Sequence, residues 1–315
     1  MSVKHVVLGT GAIGRAIAEE LVRSGESVRM VNRSGKMDEI PAGVEVVASD
    51  LYDQAQVQKV TRGAEVVYQS AQPHYYAWPE KFPPLQKSIL EGLTSSNAKL
   101  VIVENLYMVG ETDGKPITEA TLHRPHTRKG KVRAALSEAT LAAHRAGKLR
   151  VTIGRGSDYF GPWGTDTSMG GLVLYPLLKG KAGQIGGSAK MPHTHTYIPD
   201  FGKTLVLLGK YTEADGQAWN VPNDQLRITQ GEMINLFAAE FGVTPKVQVV
   251  GKTMMALAGL FIKEAKETVE MMYEFEKPFV VDSSKFENTF GMKATPIRVA
   301  IKETAAWFKS HPEKK

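Results

Sequence analysis

Cysteine is absent from all 315 residues. That excludes disulfide cross-links and thiolate chemistry, although a chain without thiols is compatible with any redox compartment. Long apolar runs are missing as well. No stretch has the uninterrupted length needed to cross a bilayer. Met1-Ser2-Val3-Lys4-His5 leads straight into an apolar strand, without the basic segment, apolar stretch and cleavage site of an export signal. The expected address is cytoplasmic, with no membrane partner. Internal repeats are lacking, and so is the G-x-S-x-G turn of a serine hydrolase. Acidic residues are outnumbered: 33 Asp and Glu face 39 Lys and Arg, a formal charge of +6. Such a balance favours anionic partners. The basic residues are scattered, however, and no recognition-helix or aromatic RNA-binding pattern accompanies them, so nucleic acid is not an expected partner.

Hydrophobic content of 42% against 23% charged residues is that of a folded globular chain. The length suffices for one large core or two smaller ones. Short Val-, Ile- and Leu-rich segments predict strands at Lys4–Leu8, Ser27–Val31, Val44–Ala48, Glu65–Ser70, Leu100–Val103 and Leu149–Ile153. Between them, Ile13–Ser24, Tyr52–Arg62, Pro84–Ser95 and Lys131–Ala146 have the length and apolar spacing of crossover helices. Alternation of this kind, with little period-two patterning inside the strands, predicts an α/β fold whose parallel sheet is covered on both faces. Later helices are expected at Met169–Lys179, Tyr197–Lys210, Met254–Glu274 and Pro296–Ser310, with a loop or short strand over Gly180–Pro192 and a strand at Ala218–Val221. Thr229-Gln230-Gly231-Glu232 carries the N-cap and third-position carboxylate of a capping box. The closing Lys314-Lys315 reads as a solvated terminus.

The chemistry-bearing motif comes first in the chain. Gly9-Thr10-Gly11-Ala12-Ile13-Gly14 sets three glycines at G-x-G-x-x-G spacing between the first strand and the first helix. Gly9 permits the tight turn, Gly11 leaves room for a pyrophosphate, and Gly14 lets the helix approach the sheet while its N-terminal amides face the phosphates. The second strand runs into Asn32-Arg33-Ser34, with no carboxylate for an adenosine ribose. Arg33, helped by Asn32 and Ser34, suits a 2′-phosphate instead, so NADP is the expected cofactor, with NAD the alternative. Asp50 and Leu51 follow the third strand, where they would meet the adenine. Gln69, Ser70 and Ala71 end the fourth and would border the diphosphate and nicotinamide ribose.

Further along stand Val101-Ile102-Val103 with Gly110, Arg155-Gly156-Ser157-Asp158-Tyr159-Phe160-Gly161-Pro162, Tyr197-Ile198-Pro199-Asp200-Phe201, Trp219-Asn220-Val221 and Phe290-Gly291-Met292. Together with the glycine turn and Asp50-Leu51, this series resembles the extended short-chain dehydrogenase/reductases of the NAD-dependent epimerase/dehydratase group, as an atypical member of that Rossmann superfamily. The resemblance implies a Rossmann-type domain over residues 1–165. It also implies a smaller, mainly substrate-binding lobe over 166–315, with segments near 193–221 returning to the first domain and the active cleft between the two.

Ordinary members of that group carry a tyrosine four residues before a lysine, plus a serine or threonine after the fifth strand. The ammonium lowers the phenol pKa and makes it a usable proton donor or acceptor. This chain departs from both. Where the pair is expected it reads Pro125-His126-Thr127-Arg128-Lys129-Gly130-Lys131-Val132-Arg133. Lys129/Arg133 is the best-matching pair, with Thr127/Lys131 the alternative; in each, the two residues are four apart and share a helix face. Glu104-Asn105-Leu106-Tyr107 occupies the hydroxyl position. Tyr107, Asn105 and a basic residue among Lys129, Lys131 and Arg133 are therefore the candidate catalytic set of an oxidoreductase moving hydride to or from a small carbonyl or alcohol. A silent nucleotide-binding sensor or scaffold resembling NmrA-like proteins is the alternative, and epimerase or dehydratase chemistry a further one.

Other signals are weaker. Glu104 is unusual at the end of a buried strand; if buried near Lys129 or Lys131 it could form an ion pair there, in a functional or a structural role. His193 and His195 lie two apart and face one side of any strand, but Asp200 is the only nearby acid. A polar lining, with His195 a substrate contact, is expected there rather than a metal site. The aromatics of Pro73-His74-Tyr75-Tyr76-Ala77-Trp78, Trp163 and the methionine-rich 254–272 stretch point to an apolar or aromatic small-molecule substrate. The expected state is monomer or homodimer.

Overall fold

The structure is a computed structural model describing residues 3–313; the expectations for Met1, Ser2 and Lys314-Lys315 lie outside the described residues. The chain opens with β1 His5–Leu8, α1 Ala12–Arg23, β2 Val28–Asn32, β3 Val44–Ala48, α2 Gln54–Thr61, β4 Val66–Gln69, α3 Trp78–Leu93, β5 Lys99–Glu104, α4 Arg128–Arg145 and β6 Arg150–Arg155. It continues with β7 Asp158–Phe160, α5 Gly171–Leu178, β8 Gly183–Gly186, β9 His195–Tyr197, α6 Ile198–Lys210 and β10 Ala218–Asn220. Last come α7 Gln230–Phe241, β11 Val247–Val250, α8 Lys252–Ala258, α9 Lys263–Thr268, α10 Tyr273–Glu276, α11 Ser284–Phe290 and α12 Ile297–Ser310.

Seven strands form one sheet in the order β10-β6-β5-β4-β1-β2-β3. Strands β6, β5, β4, β1, β2 and β3 pair in parallel, with Leu8 beside Val31 on one flank and Gln69 on the other. The chain winds outward from β1 to β3, then restarts at β4 on the opposite side, so strand order reverses between β1 and β4. This is the parallel α/β sheet the strand composition predicts, because strands covered on both faces have no polar side to alternate with, and its order is the Rossmann type that the resemblance implies.

Two units make up the chain. The first comprises the residues up to Met108, Arg128–Gly156 and Phe201–Trp219; the second comprises Val109–Thr127, Ser157–Asp200 and the residues from Asn220 onward. In the first, Val6, Leu8, Val67, Leu100, Ile102, Val151 and Ile153 from the sheet pack with Trp78, Phe82, Leu85 and Ile89 of α3. Helix α3 begins at Trp78 rather than the expected Pro84. Its prolines remove ladder donors, but buried Trp78, Phe82 and Leu85 hold one face and outweigh that loss. A polar file crosses this core: Gln69 Nε2 donates to Gln86 Oε1 at 2.7 Å, Gln86 Nε2 to Thr140 Oγ1 at 3.0 Å, and Thr140 Oγ1 to the Leu136 carbonyl at 2.9 Å. Glu104 is paired, but with Arg155 rather than Lys129 or Lys131: the two are cross-strand partners, buried, with Nε and Oε2 3.2 Å apart. Arg155 also donates to Ser137 Oγ at 2.9 Å.

The second unit has its own core, built from Val173, Leu174 and Leu177 of α5, Phe237 and Ile234 of α7, and Ile301, Ala305 and Phe308 of α12. Helix α7 starts with the predicted capping box, Thr229 and Glu232 bonding each other's backbone N–H. The single helix expected over Met254–Glu274 is instead broken into α8, α9, a short 3-10 turn and α10. The break falls at Gly259, where any side chain would sit 2.7 Å from the Lys266 Cα.

A buried titratable group lies among these elements. His193 Nε2 meets Asp158 Oδ2 at 2.8 Å and its Nδ1 meets the Glu274 carbonyl oxygen at 3.0 Å. The neighbouring His195 ring, 4.8 Å away between centroids, is buried with neither nitrogen hydrogen-bonded. Burial first, and the nearby His193 second, hold its pKa well below the ordinary 6.5. Burial, reinforced by Asp158, pushes the Glu274 carboxyl well above 4.5. The two linkages have opposite signs. Unfolding lets His195 take up a proton below pH 6.5, which costs stability as pH falls; unfolding lets Glu274 release one above pH 4.5, so its contribution improves as pH falls. Between these values the effects offset. The stability of His195→Phe relative to the parent should therefore rise on acidification below pH 6.5, by up to about 1.4 kcal/mol per pH unit. Denaturant unfolding across that range measures it, and a pH-independent difference between the two proteins would refute the linkage.

Candidate functional site

The carboxyl ends of β1, β4 and β5 are neighbours in the sheet, and the residues with chemical potential follow directly from them. At β1 the chain turns through Gly9, whose φ of 115° only glycine adopts readily. A side chain there would also strike the Ala71 amide nitrogen and Ser70 Oγ, each 2.7 Å away. Gly14 lies tighter still: its missing Cβ would stand 2.3 Å from the Gly9 carbonyl oxygen. Gly11 is the opposite case, with nothing within 4 Å of where a Cβ would be. It is the N-cap of α1 and supplies no side-chain cap. Two glycines thus bring the helix onto the turn, and the third leaves space in front of amides to which its own residue gives no acceptor. That is the fit a dinucleotide diphosphate requires.

The flanking residues fix this corner. Gly9 N donates to the Val31 carbonyl at 2.8 Å, and Ser70 N and Ala71 N both donate to the Leu8 carbonyl, at 2.9 and 2.7 Å. Ser70 Oγ adds a bond to the same carbonyl at 3.2 Å. Thr10 accepts from Asn32 Nδ2 at 3.0 Å; Asn32 also donates to the Lys36 carbonyl and accepts from Gly35 N and Ser34 Oγ. Asn32 and Ser34 therefore shape the loop after β2. Arg33 is exposed on that loop and close enough to Tyr52 to oppose the upward shift that burial gives its phenol. Arg15 is buried and clamps the loop's far side, donating from Nη1 to the Glu39 carbonyl at 2.6 Å and from Nη2 to that of Asp38. Ala12 is half-buried, and Ile13 and Leu51 are core residues. Asp50 accepts from Tyr52 N at 3.0 Å in a local turn. Gln69 is committed to the polar file described above.

After β5, the candidate catalytic residues meet the first turns of α4. Helix α4 begins at Arg128, earlier than the expected Lys131. Lys129 and Arg133 consequently share its buried face, while Lys131 is exposed. Arg133 Nε donates to Asn105 Oδ1 at 3.1 Å, and its guanidinium lies 4.9 Å from the Trp78 ring centre and 4.8 Å from that of Phe82. Lys129 is fully buried, its ammonium 4.4 Å from the centre of the Tyr75 ring. Tyr75 in turn donates from its hydroxyl to that of Tyr107 at 3.3 Å. In the sequence Tyr75 reads only as one of the aromatics that point to an apolar or aromatic substrate. Its signal was the aromatic run after β4, the strand between β1 and β5.

Gly11 and Gly14 make separable predictions. Gly11→Ser places a good capping side chain in open space, so stability should stay within about 0.5 kcal/mol of the parent. Its hydroxyl would compete for the amides, so dinucleotide affinity measured by calorimetry should fall at least ~tenfold. Gly14→Ala should lose both stability and binding. If Gly11→Ser bound dinucleotide as tightly as the parent, the phosphates would have to lie elsewhere.

Comparison with known proteins agrees with this architecture. The solved UDP-glucuronic acid 4-epimerase from Bacillus cereus, in complex with NAD, is 16% identical with a TM-score of 0.78, over 98% of this chain and 99% of that one. The dTDP-glucose 4,6-dehydratase from Bacillus anthracis str. Ames, in complex with NAD, is 16% identical with a TM-score of 0.80, over 98% and 97%. The UDP-glucose 4-epimerase from Thermus thermophilus, again with NAD, is 18% identical with a TM-score of 0.78, over 97% and 99%. At these identities the likeness is one of fold. No curated protein matches the chain. Residues 6–221 match the NAD dependent epimerase/dehydratase family, and with the glycine turn, the strand order and the reversal between β1 and β4, the chain belongs to that family.

Proposed function

We propose that this protein is an NADP-dependent oxidoreductase acting on a small carbonyl or alcohol substrate through a proton relay made of Tyr107, Tyr75 and Lys129. The observation that carries the reading is the buried Lys129 ammonium on the Tyr75 ring, with the Tyr75 hydroxyl bonded to that of Tyr107. A nearby ammonium favours the charged form of a phenol. Here it stabilises negative charge on the tyrosine pair, as the lysine of ordinary family members does for a phenol four residues before it.

The residues around the glycine turn would hold the dinucleotide, Gly9 to Gly14 with Ser70 and Ala71 at the diphosphate side and Asp50 and Leu51 toward the adenine. When bound, the nicotinamide supplies or accepts the hydride. In the reducing direction Tyr107 gives its hydroxyl proton to the substrate oxygen as the carbonyl becomes an alcohol. The phenolate left on Tyr107 accepts the hydrogen bond from Tyr75, whose own ring faces Lys129; oxidation runs the same path backward. Asn105 accepts from Arg133 through its oxygen, and its amide N–H donors would serve a substrate oxygen. Arg133 is a positioning residue, and Lys131, exposed on the opposite face, has no part in the relay. The half-buried rings of Tyr75 and Tyr107 favour an apolar or aromatic substrate. On this reading much of the chain after residue 165 forms the substrate lobe.

NADP is assigned over NAD because Arg33 is exposed just after β2 on a loop braced by Asn32 and Arg15, with no carboxylate at the β2 end to hold a free ribose. NADPH should bind severalfold more tightly than NADH, and Arg33→Ala should erase most of the difference; equal affinities in the parent protein would overturn the assignment. For the relay, Tyr107→Phe should lower turnover by about 10²-fold or more while leaving the dinucleotide Kd unchanged. Tyr75→Phe should shift the pH profile of turnover rather than abolish it. Unchanged turnover in Tyr107→Phe, measured on any carbonyl substrate the parent reduces, would eliminate this mechanism.

A further inference from the structure

The segment that breaks the expected Met254–Glu274 helix exposes the largest run of apolar side chains among the described residues. Met254 and Leu257 lie on one stripe of α8, and the stripe runs on into Leu260, Phe261 and Ile262 at the turn before α9, all five of them exposed. Leu260 is 74% and Phe261 90% accessible. Exposure that complete means the two side chains stand out at a tip rather than line a groove. Single exposed apolar residues are ordinary, but five in nine positions are not.

The tip is built rather than loose. The absent Cβ of Gly259 allows α9 to fold back within contact of α8. Its backbone donors are internally satisfied: Gly259 N bonds Met255 O, Leu260 N bonds Leu257 O, and Phe261 N and Ile262 N both bond Ala258 O, at 2.9 to 3.2 Å. With these four N–H groups bonded, residues 259–262 can enter an apolar medium at lower cost. Its flanks are basic. Lys252 opens α8, and Lys263 and Lys266 lie on α9, all exposed, against the single exposed carboxylate of Glu264 between residues 252 and 266.

The geometry points to a peripheral membrane contact: the 252–266 hairpin inserts Leu260, Phe261 and Ile262 into the headgroup boundary of an anionic bilayer while its lysines meet the lipid phosphates. Apolar insertion combined with two or three basic residues gives reversible association, stronger on anionic than on zwitterionic lipid and weakened by salt. A flat interface between two copies of the chain would have no use for a protruding aromatic tip with a net basic flank. The expectation of no membrane partner rested on the lack of a spanning segment, and among the described residues no helix is long and apolar enough to cross. In-plane contact needs no such helix.

The test is co-sedimentation of the full chain with vesicles of phosphatidylcholine alone and of phosphatidylcholine mixed with phosphatidylglycerol. The parent should sediment with the anionic vesicles and not with the neutral ones, less so as salt is raised. Leu260→Ser/Phe261→Ser and Lys252→Glu/Lys266→Glu should each weaken binding by ~tenfold or more. Both variants change exposed positions only, and an unchanged melting temperature and dinucleotide affinity would show that they remain folded. No sedimentation of the parent with anionic vesicles would overturn the proposal, as would vesicle binding that neither variant alters. Concentration-dependent self-association abolished by the serine variant, without vesicle binding, would assign the tip to a second copy of the chain instead.

Discussion

The contact between Gly14 and the Gly9 carbonyl oxygen is the constraint on which the first unit's chemistry rests. With 2.3 Å available where a Cβ would lie, helix α1 can start where it does only because position 14 carries no side chain. The start of α1 sets where its amides point, and the Leu8 carbonyl, shared by Ser70 and Ala71, fixes the end of β4 to the same corner. From β4 the constraint passes to the aromatic run that carries Tyr75. The glycine-turn corner and the tyrosine pair are therefore joined through one short strand end.

The second arrangement of consequence is how the buried cations of α4 are accommodated. Arg133 lies between Trp78, Phe82 and Asn105, and Lys129 rests on Tyr75. Aromatic faces stabilise a desolvated cation without neutralising it, whereas a carboxylate would form a closed ion pair. Glu104, the acid nearest in sequence to Tyr107, is kept to Arg155, which Ser137 also holds. The chain thus sets Arg155 against a carboxylate and packs Lys129 and Arg133 on aromatic rings.

Much of this was legible in the residues themselves. The glycine spacing, the unalternating strands and the Thr229 capping box are local signals, and local physics decides them. Lys129 and Arg133 could be matched as a pair by spacing, but their choice over Thr127 and Lys131 depended on where α4 begins, which is set by burial of that helix face. The Glu104 partner is hidden because cross-strand register joins residues far apart in sequence, and the Lys129 contact with Tyr75 because it depends on how α4 packs. The break at Gly259 was hidden by a continuous apolar pattern; only the close approach of two short helices, a tertiary fact, explains that glycine. Asn32 and Ser34, expected beside a 2′-phosphate, are occupied with bracing the loop after β2.

The file of Gln69, Gln86 and Thr140 bears on how finely this can be tuned. Gln86 is held on both sides, accepting from Gln69 and donating to Thr140, so the three elements the file links mesh in a single phase. Sliding α4 by one residue would turn its face through about 100°, withdraw Thr140 and strand the Gln86 amide in an apolar interior. The file therefore works as an angular detent: it keeps the azimuth of a helix whose opening turn carries Lys129, so substitutions deep in the sheet's packing could detune a phenol they never touch.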